Sequence, residues 1–164
     1  MSSQSLKIAL IQMDIELGDP DINYARAAKK IAEAAKGEEK PDVIVLPEMW
    51  NTGYSMSNIA QVADRSGSRT QLVIGELARR YGVHIIAGSV ADSDGEHVRN
   101  TIYAFDRSGQ MHASYSKIHL FRLMDEEKYL TAGKKRGELQ LDGHAAGMMI
   151  CYDIRFPELA RKLA

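Results

Sequence analysis

Three side chains with the chemistry for acyl transfer stand where predicted strands end. They are the thiol of Cys151, the carboxyl of Glu48 and the amine of Lys117. Open α/β sheets place their sites at the carboxyl ends of strands. A thiolate can attack a carbonyl carbon, a carboxylate can move the proton, and a fixed ammonium can stabilise the oxyanion that forms. The three residue types therefore indicate hydrolysis through a covalent intermediate, provided that the fold brings them together.

Cys151 follows the apolar run 145–150, and a helix is predicted to begin within a few residues of it. A cysteine at such a strand-to-helix turn exposes its sulfur above the sheet, where the first N–H groups of a helix favour a thiolate and an oxyanion. The alternative is a buried core cysteine, because free cysteine is among the most buried residue types. The polar run 153–155 favours the exposed position.

Glu48 and Lys117 each have a simpler interpretation. Glu48 follows an apolar strand and Pro47, where partial desolvation would suit a general base, but a loop or cap carboxylate fits equally well. Lys117 and His119 share one face of a strand, since the side chains of a strand alternate. Spacing therefore does not choose between them, and most lone lysines are solvated while most lone histidines are structural.

Composition excludes several other classes of protein. The 164 residues carry a net charge of −1 and are 45% hydrophobic and 26% charged, as in ordinary globular proteins. The single cysteine excludes an internal disulfide, and no apolar run approaches the ~18 residues of a membrane span. The five histidines lack metal-binding spacing, and there is no phosphate loop or basic stripe. We expect a soluble cytoplasmic protein without metal, membrane or nucleic-acid partners.

The order of the predicted elements indicates an α/β fold with a mixed sheet, because strand–helix alternation is followed by hairpins. The predicted strands cover residues 6–13, 43–46, 83–90, 101–105, 111–115, 139–141 and 145–150. The predicted helices cover residues 22–35, 69–81 and 156–164. Since the last helix has only about two turns before Ala164, we expect residues 1–164 to be the N-terminal portion of a single domain whose C-terminal part is missing.

Three segments together resemble the nitrilase superfamily of carbon–nitrogen hydrolases. They are Leu46-Pro47-Glu48, the run from Tyr115 to Phe121, and the run from Ile150 to Glu158, in the order and at the distances typical of the family. The runs 9–13, 87–89 and 100–101 also fit. The resemblance implies an α-β-β-α sandwich with mixed sheets, of which this chain would form the N-terminal part.

The resemblance also implies roles for individual residues. Cys151 matches the nucleophile, Glu48 the general base and Lys117 the lysine that stabilises the oxyanion. The family has a second active-site glutamate ahead of a glycine, for which Glu126 is the better match and the adjacent Glu127 the competing one. No metal or organic cofactor is implied, and His119 belongs to the lysine motif with a structural role.

Residues 46–56 and 121–126 resemble the omega-amidase branch of the family, whose members hydrolyse the terminal amide of 2-oxo acids such as 2-oxoglutaramate. We expect Trp50, Tyr54 and Arg122 to line the substrate pocket. The backbone N–H of Tyr152 would hold the oxyanion together with Lys117.

Two further expectations concern Arg122 and the last helix. Arg122 either pairs with a substrate carboxylate or forms an ion pair with Asp125 or Glu126. Family members commonly pair through the helix after the nucleophile, so we expect the full-length protein to form a homodimer or a higher homo-oligomer in which the apolar positions of residues 156–163 meet a partner. The alternatives to an amidase are an N-carbamoyl or other carbon–nitrogen hydrolase and an inactive fragment.

Overall fold

The computed structural model describes residues 5–164 and has the predicted mixed α/β architecture. Its strands are β1 (Ile8–Leu10), β2 (Val43–Val45), β3 (Asp64–Arg65), β4 (His84–Ile86), β5 (Val90–Ser93), β6 (Val98–Phe105), β7 (Met111–Ser116), β8 (Gly137–Leu141) and β9 (His144–Met148). Its helices are α1 (Pro20–Lys36), α2 (Ile59–Val62), α3 (Ser68–Tyr81), α4 (Glu126–Tyr129) and α5 (Pro157–Leu163). Three 3-10 turns lie at Met56–Asn58, Arg122–Met124 and Cys151–Arg155. Within residues 5–164, no helix is both long enough and apolar enough to cross a membrane.

Seven strands form one sheet in the order β1-β2-β4-β6-β5-β3, with β7 paired to β6. The strands β1, β2 and β4 run parallel, whereas β6 runs antiparallel to β4, β5 and β7. The strands β8 and β9 form a separate antiparallel hairpin. Both strand directions occur in the main sheet, so the prediction of a mixed sheet is confirmed.

The main sheet separates two apolar layers, because successive side chains of a strand point to opposite faces. On one face, Ile44 and Ile85 pack with Ile31 of α1 and Ile74 of α3. On the other face, Val43 packs with apolar residues of β8 and β9. Burial of each such side chain contributes about 1.5–3 kcal/mol, so both layers hold in place the strands that carry the candidate site.

The prediction of a single strand over residues 83–90 is wrong, because the structure has a break in the strand between β4 and β5. Gly88 has φ of +50° in this break, and a Cβ there would lie 2.0 Å from the backbone oxygen of Pro47. The neighbouring Ser89 donates its N–H to that oxygen at 3.1 Å, and its hydroxyl accepts from the N–H of Met49 at 3.0 Å. These two hydrogen bonds of Ser89 therefore fix the backbone on both sides of Glu48.

The structure of residues 145–164 also differs from the prediction, which has a strand over residues 145–150 and a helix over residues 156–164. The strand β9 ends at Met148, and the 3-10 turn Cys151–Arg155 precedes α5. The helix α5 packs closely on β9, since a Cβ at Gly147 would lie 2.8 Å from the Cβ of Leu163, and Leu159 is buried. Part of the apolar face that was expected to need a partner subunit is therefore covered within the chain itself.

Sequence patterns did not predict the segment between β2 and α3, which contains α2 and β3. Its buried Asp64 caps α3, accepting from the N–H of Arg69 at 3.0 Å and the N–H of Thr70 at 2.8 Å. The hydroxyl of Tyr24 donates to the same carboxylate at 3.0 Å. This cluster joins α1 to α3, and none of these hydrogen bonds involves Glu48 or Cys151.

Candidate active site

Lys117 lies at the centre of a buried cluster of charges. Its Nζ donates to Oε1 of Glu48 at 3.0 Å and to Oε1 of Glu126 at 2.9 Å, and its side chain has no exposed surface. Burial alone would lower the pKa of Lys117, but Glu126 and Glu48 hold that pKa above its ordinary value. The side chain is therefore a fixed ammonium inside the protein, and the alternative of a solvated surface lysine is wrong.

The backbone around Lys117 is held from two sides. Lys117 is the first residue after β7, and its N–H donates to the backbone oxygen of Asn100 in β6 at 2.9 Å. Its own backbone oxygen accepts from the N–H of Gly133 at 2.8 Å. A Cβ at Gly133 would lie 2.1 Å from the backbone oxygen of Ser116, so the segment after α4 can approach this strand end only with glycine at that position.

Glu48 stands three residues after β2 and faces Lys117, although β2 and β7 are not paired in the sheet. Its Oε1 accepts from Nδ2 of Asn100 at 2.9 Å as well as from Lys117. The side chain is 21% exposed, whereas that of Lys117 is fully buried. Glu48 thus has one oxygen fixed by two donors and keeps partial access to the solvent side of the cluster.

The structure distinguishes Glu126 from Glu127. Glu126 is completely buried, and its Oε2 accepts from the backbone N–H of Phe121 at 2.7 Å while Oε1 faces Lys117. Glu127 is exposed. The better of the two sequence matches, Glu126, is therefore the one that belongs to the cluster.

Cys151 is exposed and opens the 3-10 turn Cys151–Arg155. Its φ of +43° lies in the left-handed region, which a residue with a Cβ rarely adopts. Although the residue is exposed overall, partial desolvation of its thiol and the nearby negative charge of Glu48 raise the pKa of Cys151, and Lys117 partly offsets this rise. The alternative of a buried core cysteine is wrong.

His119 does not compete with Lys117 for the cluster. Its Nδ1 lies 2.7 Å from Oδ1 of Asp153, and its ring stacks on Phe156 with 3.6 Å between ring centroids. Because the strand β7 ends at Ser116, the predicted shared strand face does not exist, and the two side chains diverge. His119 contacts the turn that follows Cys151, as a structural residue would.

The four residues expected around the substrate have different environments. Tyr54 is half-buried, and burial together with the nearby Glu48 carboxylate raises its pKa. Tyr152 follows Cys151 directly and packs against Phe121 with ring centroids 4.8 Å apart. The expectation for Trp50 is wrong, because its side chain is completely buried in the core and its Nε1 donates to the backbone oxygen of Ala87 at 2.7 Å.

Arg122 is exposed and forms no ion pair within residues 5–164. Asp125 pairs instead with Lys128 at 2.9 Å, and Glu126 pairs with Lys117. The expected alternative of an ion pair to one of these two acids is therefore wrong. Arg122 lines a surface depression next to the one that contains Cys151.

Two cavities reach Cys151. One, of about 370 Å³, lies between the main sheet and the hairpin β8–β9 and also exposes Glu48. The other, of about 630 Å³, is an open groove lined by Phe121, Leu123, Cys151, Tyr152, Ile154 and Arg155. Within the described part of the chain, no group of three or more His, Cys, Asp or Glu side chains could hold a metal ion.

Sequence reasoning did not assign Asn100, Tyr115 and Asp153 to the site. Asn100 binds Glu48 through its side chain and Lys117 through its backbone. Tyr115 and Asp153 are joined by a 2.6 Å hydrogen bond. All three are buried polar residues inside the segments that resemble the family or beside them, which is the signal that could have identified them.

This fold, with its cluster of thiol, carboxylates and ammonium, can be compared with known proteins. Residues 7–164 match the model of the carbon-nitrogen hydrolase family, and the chain belongs to that family. A 2-oxoglutaramate amidase of Bacillus subtilis (strain 168) is 45% identical over 155 residues, which cover 94% of this chain and 59% of the relative. The chloroplastic omega-amidase of Arabidopsis thaliana is 35% identical over 165 residues, covering 93% of this chain and 44% of the relative.

A solved structure supports the same assignment. The crystal structure of Saccharomyces cerevisiae Nit3, a member of branch 10 of the nitrilase superfamily, has a TM-score of 0.85 at 28% identity and covers 97% of this chain and 61% of that chain. The resemblance to the nitrilase superfamily is therefore confirmed. The chain spans about three fifths of the Bacillus subtilis relative.

Proposed function

We propose that this chain carries the catalytic residues of an amidase that hydrolyses a small linear amide to a carboxylate and ammonia. The observation that carries the proposal is the contact of one ammonium, Lys117, with the carboxylates of Glu48 and Glu126, beside the thiol of Cys151. Amide hydrolysis needs a nucleophile, a proton carrier and an oxyanion site. This cluster supplies all three without a metal or an organic cofactor.

In the first half of the reaction, Glu48 takes the proton of the Cys151 thiol and the sulfur attacks the amide carbon. The raised pKa of Cys151 means that the thiol keeps its proton until the substrate arrives, so a base within hydrogen-bonding reach is needed. Lys117 and the backbone N–H of Tyr152 stabilise the oxyanion. Glu48 then passes the proton to the leaving nitrogen, the C–N bond breaks, and ammonia departs from a thioester.

In the second half, Glu48 takes a proton from water and the resulting hydroxide attacks the thioester carbon. The C–S bond breaks, the proton on Glu48 returns to the sulfur, and the carboxylic acid product leaves and releases its own proton to the solvent. Glu126 does not exchange protons in this scheme. Its buried carboxylate keeps Lys117 charged and in place.

We infer that the substrate is the omega-amide of a 2-oxo acid, which the name of the Bacillus subtilis relative supports. Such a substrate carries a carboxylate, and Arg122 offers an exposed guanidinium next to the groove of Cys151. Tyr54 and Tyr152 would then flank the reacting amide. A cytoplasmic homodimer or higher homo-oligomer remains part of the proposal, and light scattering after size-exclusion chromatography tests it.

Release of ammonia tests the substrate class. The complete gene product that contains this chain is assayed with 2-oxoglutaramate, with an uncharged aliphatic amide of similar length, and with an N-carbamoyl amino acid. We expect the highest kcat/KM for 2-oxoglutaramate. A preference for the carbamoyl compound would instead identify another carbon–nitrogen hydrolase. If none of the amides released ammonia although Cys151 could still be alkylated, the proposal would be contradicted.

A further inference from the structure

One completely buried carboxylate joins the two segments that carry the candidate nucleophile and the candidate oxyanion lysine. Oδ2 of Asp153 accepts from the hydroxyl of Tyr115 at 2.6 Å and from the N–H of Ile150 at 3.0 Å. Oδ1 accepts from the backbone N–H of His119 at 3.0 Å and lies 2.7 Å from its Nδ1. Because a carboxylate only accepts, Nδ1 of His119 is the donor in this contact. Each oxygen is thus held by two donors.

The donors to Asp153 flank the reactive side chains. Tyr115 and His119 lie two positions before and two positions after Lys117, and Ile150 immediately precedes Cys151. The hydroxyl of Tyr115 also accepts from the N–H of Ile118 at 3.2 Å. A single buried group therefore fixes the chain on both sides of Lys117 and on both sides of Cys151.

The turn at Cys151 needs such a restraint. Its φ of +43° is unfavourable for a residue with a Cβ and persists only where the surroundings determine it. The hydrogen bond from the N–H of Ile150 to Asp153 spans this residue. Asp153 also contacts the ring of His119. That ring stacks on Phe156, which follows the last residue of the same turn.

We propose that Asp153 is a positioning residue for amide hydrolysis, which holds the turn of Cys151 and the segment of Lys117 at a fixed separation so that the thiol and the ammonium meet one carbonyl group. Asp153 itself does not touch the substrate in this proposal, because each of its two oxygens is already paired with two donors of the protein. The inference rests on the proposed amidase function. It goes further by assigning the alignment of nucleophile and oxyanion site to one carboxylate outside the reacting groups.

The chain offers a matched control for this carboxylate. Asp64 is also buried and also accepts from two backbone N–H groups and a tyrosine hydroxyl, that of Tyr24, but these donors belong to α1 and α3 and do not flank Lys117 or Cys151. Asp153→Asn and Asp64→Asn each turn one acceptor oxygen into a donor facing other donors. We expect both to lower the melting temperature of the complete gene product.

Only Asp153→Asn should change the chemistry. We expect its kcat for the substrate to fall about 100-fold, as a misplacement of about 1 Å can cause, while KM changes by less than about threefold because ground-state binding is retained. For Asp64→Asn, kcat and KM should stay within about twofold of the unmodified protein at a temperature where both variants are folded. Equal kcat for the two variants would overturn the proposal.

A second pair covers the case in which Asp153→Asn does not fold. Tyr115→Phe removes one donor to Asp153, and Tyr24→Phe removes the equivalent donor to Asp64. We expect kcat to fall about tenfold in Tyr115→Phe, the change that one lost hydrogen bond can cause, and to remain within about twofold in Tyr24→Phe. A Tyr115→Phe variant as active as Tyr24→Phe would contradict the positioning role.

Alkylation of Cys151 separates this proposal from the proposed function, because it needs no substrate. Desolvation and Glu48 raise the pKa of the thiol in the intact site. If Asp153 holds that geometry, the midpoint of the pH profile of iodoacetamide alkylation should fall in Asp153→Asn toward the ordinary thiol value of about 8.5, but not in Asp64→Asn. An unchanged midpoint in Asp153→Asn would overturn the positioning role even in a protein that hydrolyses none of the amides.

Discussion

Glu48 and Lys117 are 69 positions apart in the sequence, yet Nζ of Lys117 lies 3.0 Å from Oε1 of Glu48. The contact brings the end of β2 together with the end of β7, which do not pair directly in the sheet. Asn100 of β6 lies between them and donates to the same Glu48 oxygen at 2.9 Å. The base and the ammonium of the proposed reaction are thus held by the arrangement of the strand ends.

Replacement of Glu48 should lower turnover although it makes the Cys151 thiol more acidic. Glu48→Gln removes the proton carrier, so we expect kcat to fall at least about 100-fold. Because the Glu48 carboxylate raises the pKa of Cys151, the same variant should lower that pKa and move the alkylation profile to lower pH. Glu33→Gln, an exposed carboxylate of α1, is the control. Retention of most of the turnover in Glu48→Gln would exclude it as the base.

Replacement of Lys117 should raise the pKa of the Cys151 thiol, whereas replacement of Glu48 should lower it. Lys117→Met removes the positive charge that lowers the pKa of Cys151, so this pKa should rise. We expect kcat to fall about 10²–10³-fold with the loss of an oxyanion donor. The variant also leaves two carboxylates without their buried partner and should lose about 3–5 kcal/mol of stability. Lys128→Met, which breaks only an exposed ion pair with Asp125, should cost at most about 1 kcal/mol.

The adjacent acids Glu126 and Glu127 provide a matched comparison. Glu126→Gln weakens the buried contact to Lys117 and should lower both stability and kcat, while Glu127→Gln changes an exposed side chain and should alter neither measurably. Thermal unfolding and the ammonia assay are run on both. A larger loss in Glu127→Gln would show that the register of this segment is different in the working enzyme.

Much of the site could be predicted from sequence because its parts lie in short, specific segments at strand ends. Cys151, Glu48 and Lys117 are such residues, and the structure brings them together with Glu126, which lies in α4. The expectation for Trp50 is wrong because it rests on the position of Trp50 two residues after Glu48, whereas the side chain of Trp50 turns into the core. Proximity along the chain does not show which way a loop residue points.

The parts that could not be predicted depend on contacts between distant segments. The break at Gly88 looks like the middle of one apolar strand, and only the close approach of Pro47 shows why the strand must stop there. The role of Asp153 is likewise invisible in a local pattern, because its donors come from two segments more than thirty residues apart.

Arg122 should act on binding rather than on chemistry. If it pairs with the substrate carboxylate, Arg122→Gln should raise KM for 2-oxoglutaramate by about tenfold or more and leave kcat nearly unchanged. An uncharged amide should show no such change. Equal effects on the two substrates would assign the carboxylate contact to a different residue.

The most direct test of the account is to trap the covalent intermediate. The chain has a single cysteine, so a thioester within it can form only at Cys151. The complete gene product is mixed with 2-oxoglutaramate, quenched in acid and digested, and its peptides are weighed by mass spectrometry. We expect the peptide that contains Cys151 to carry the acyl group and to lose it in hydroxylamine, while Cys151→Ala shows neither the adduct nor ammonia release. Ammonia release at the normal rate by folded Cys151→Ala would contradict the central claim.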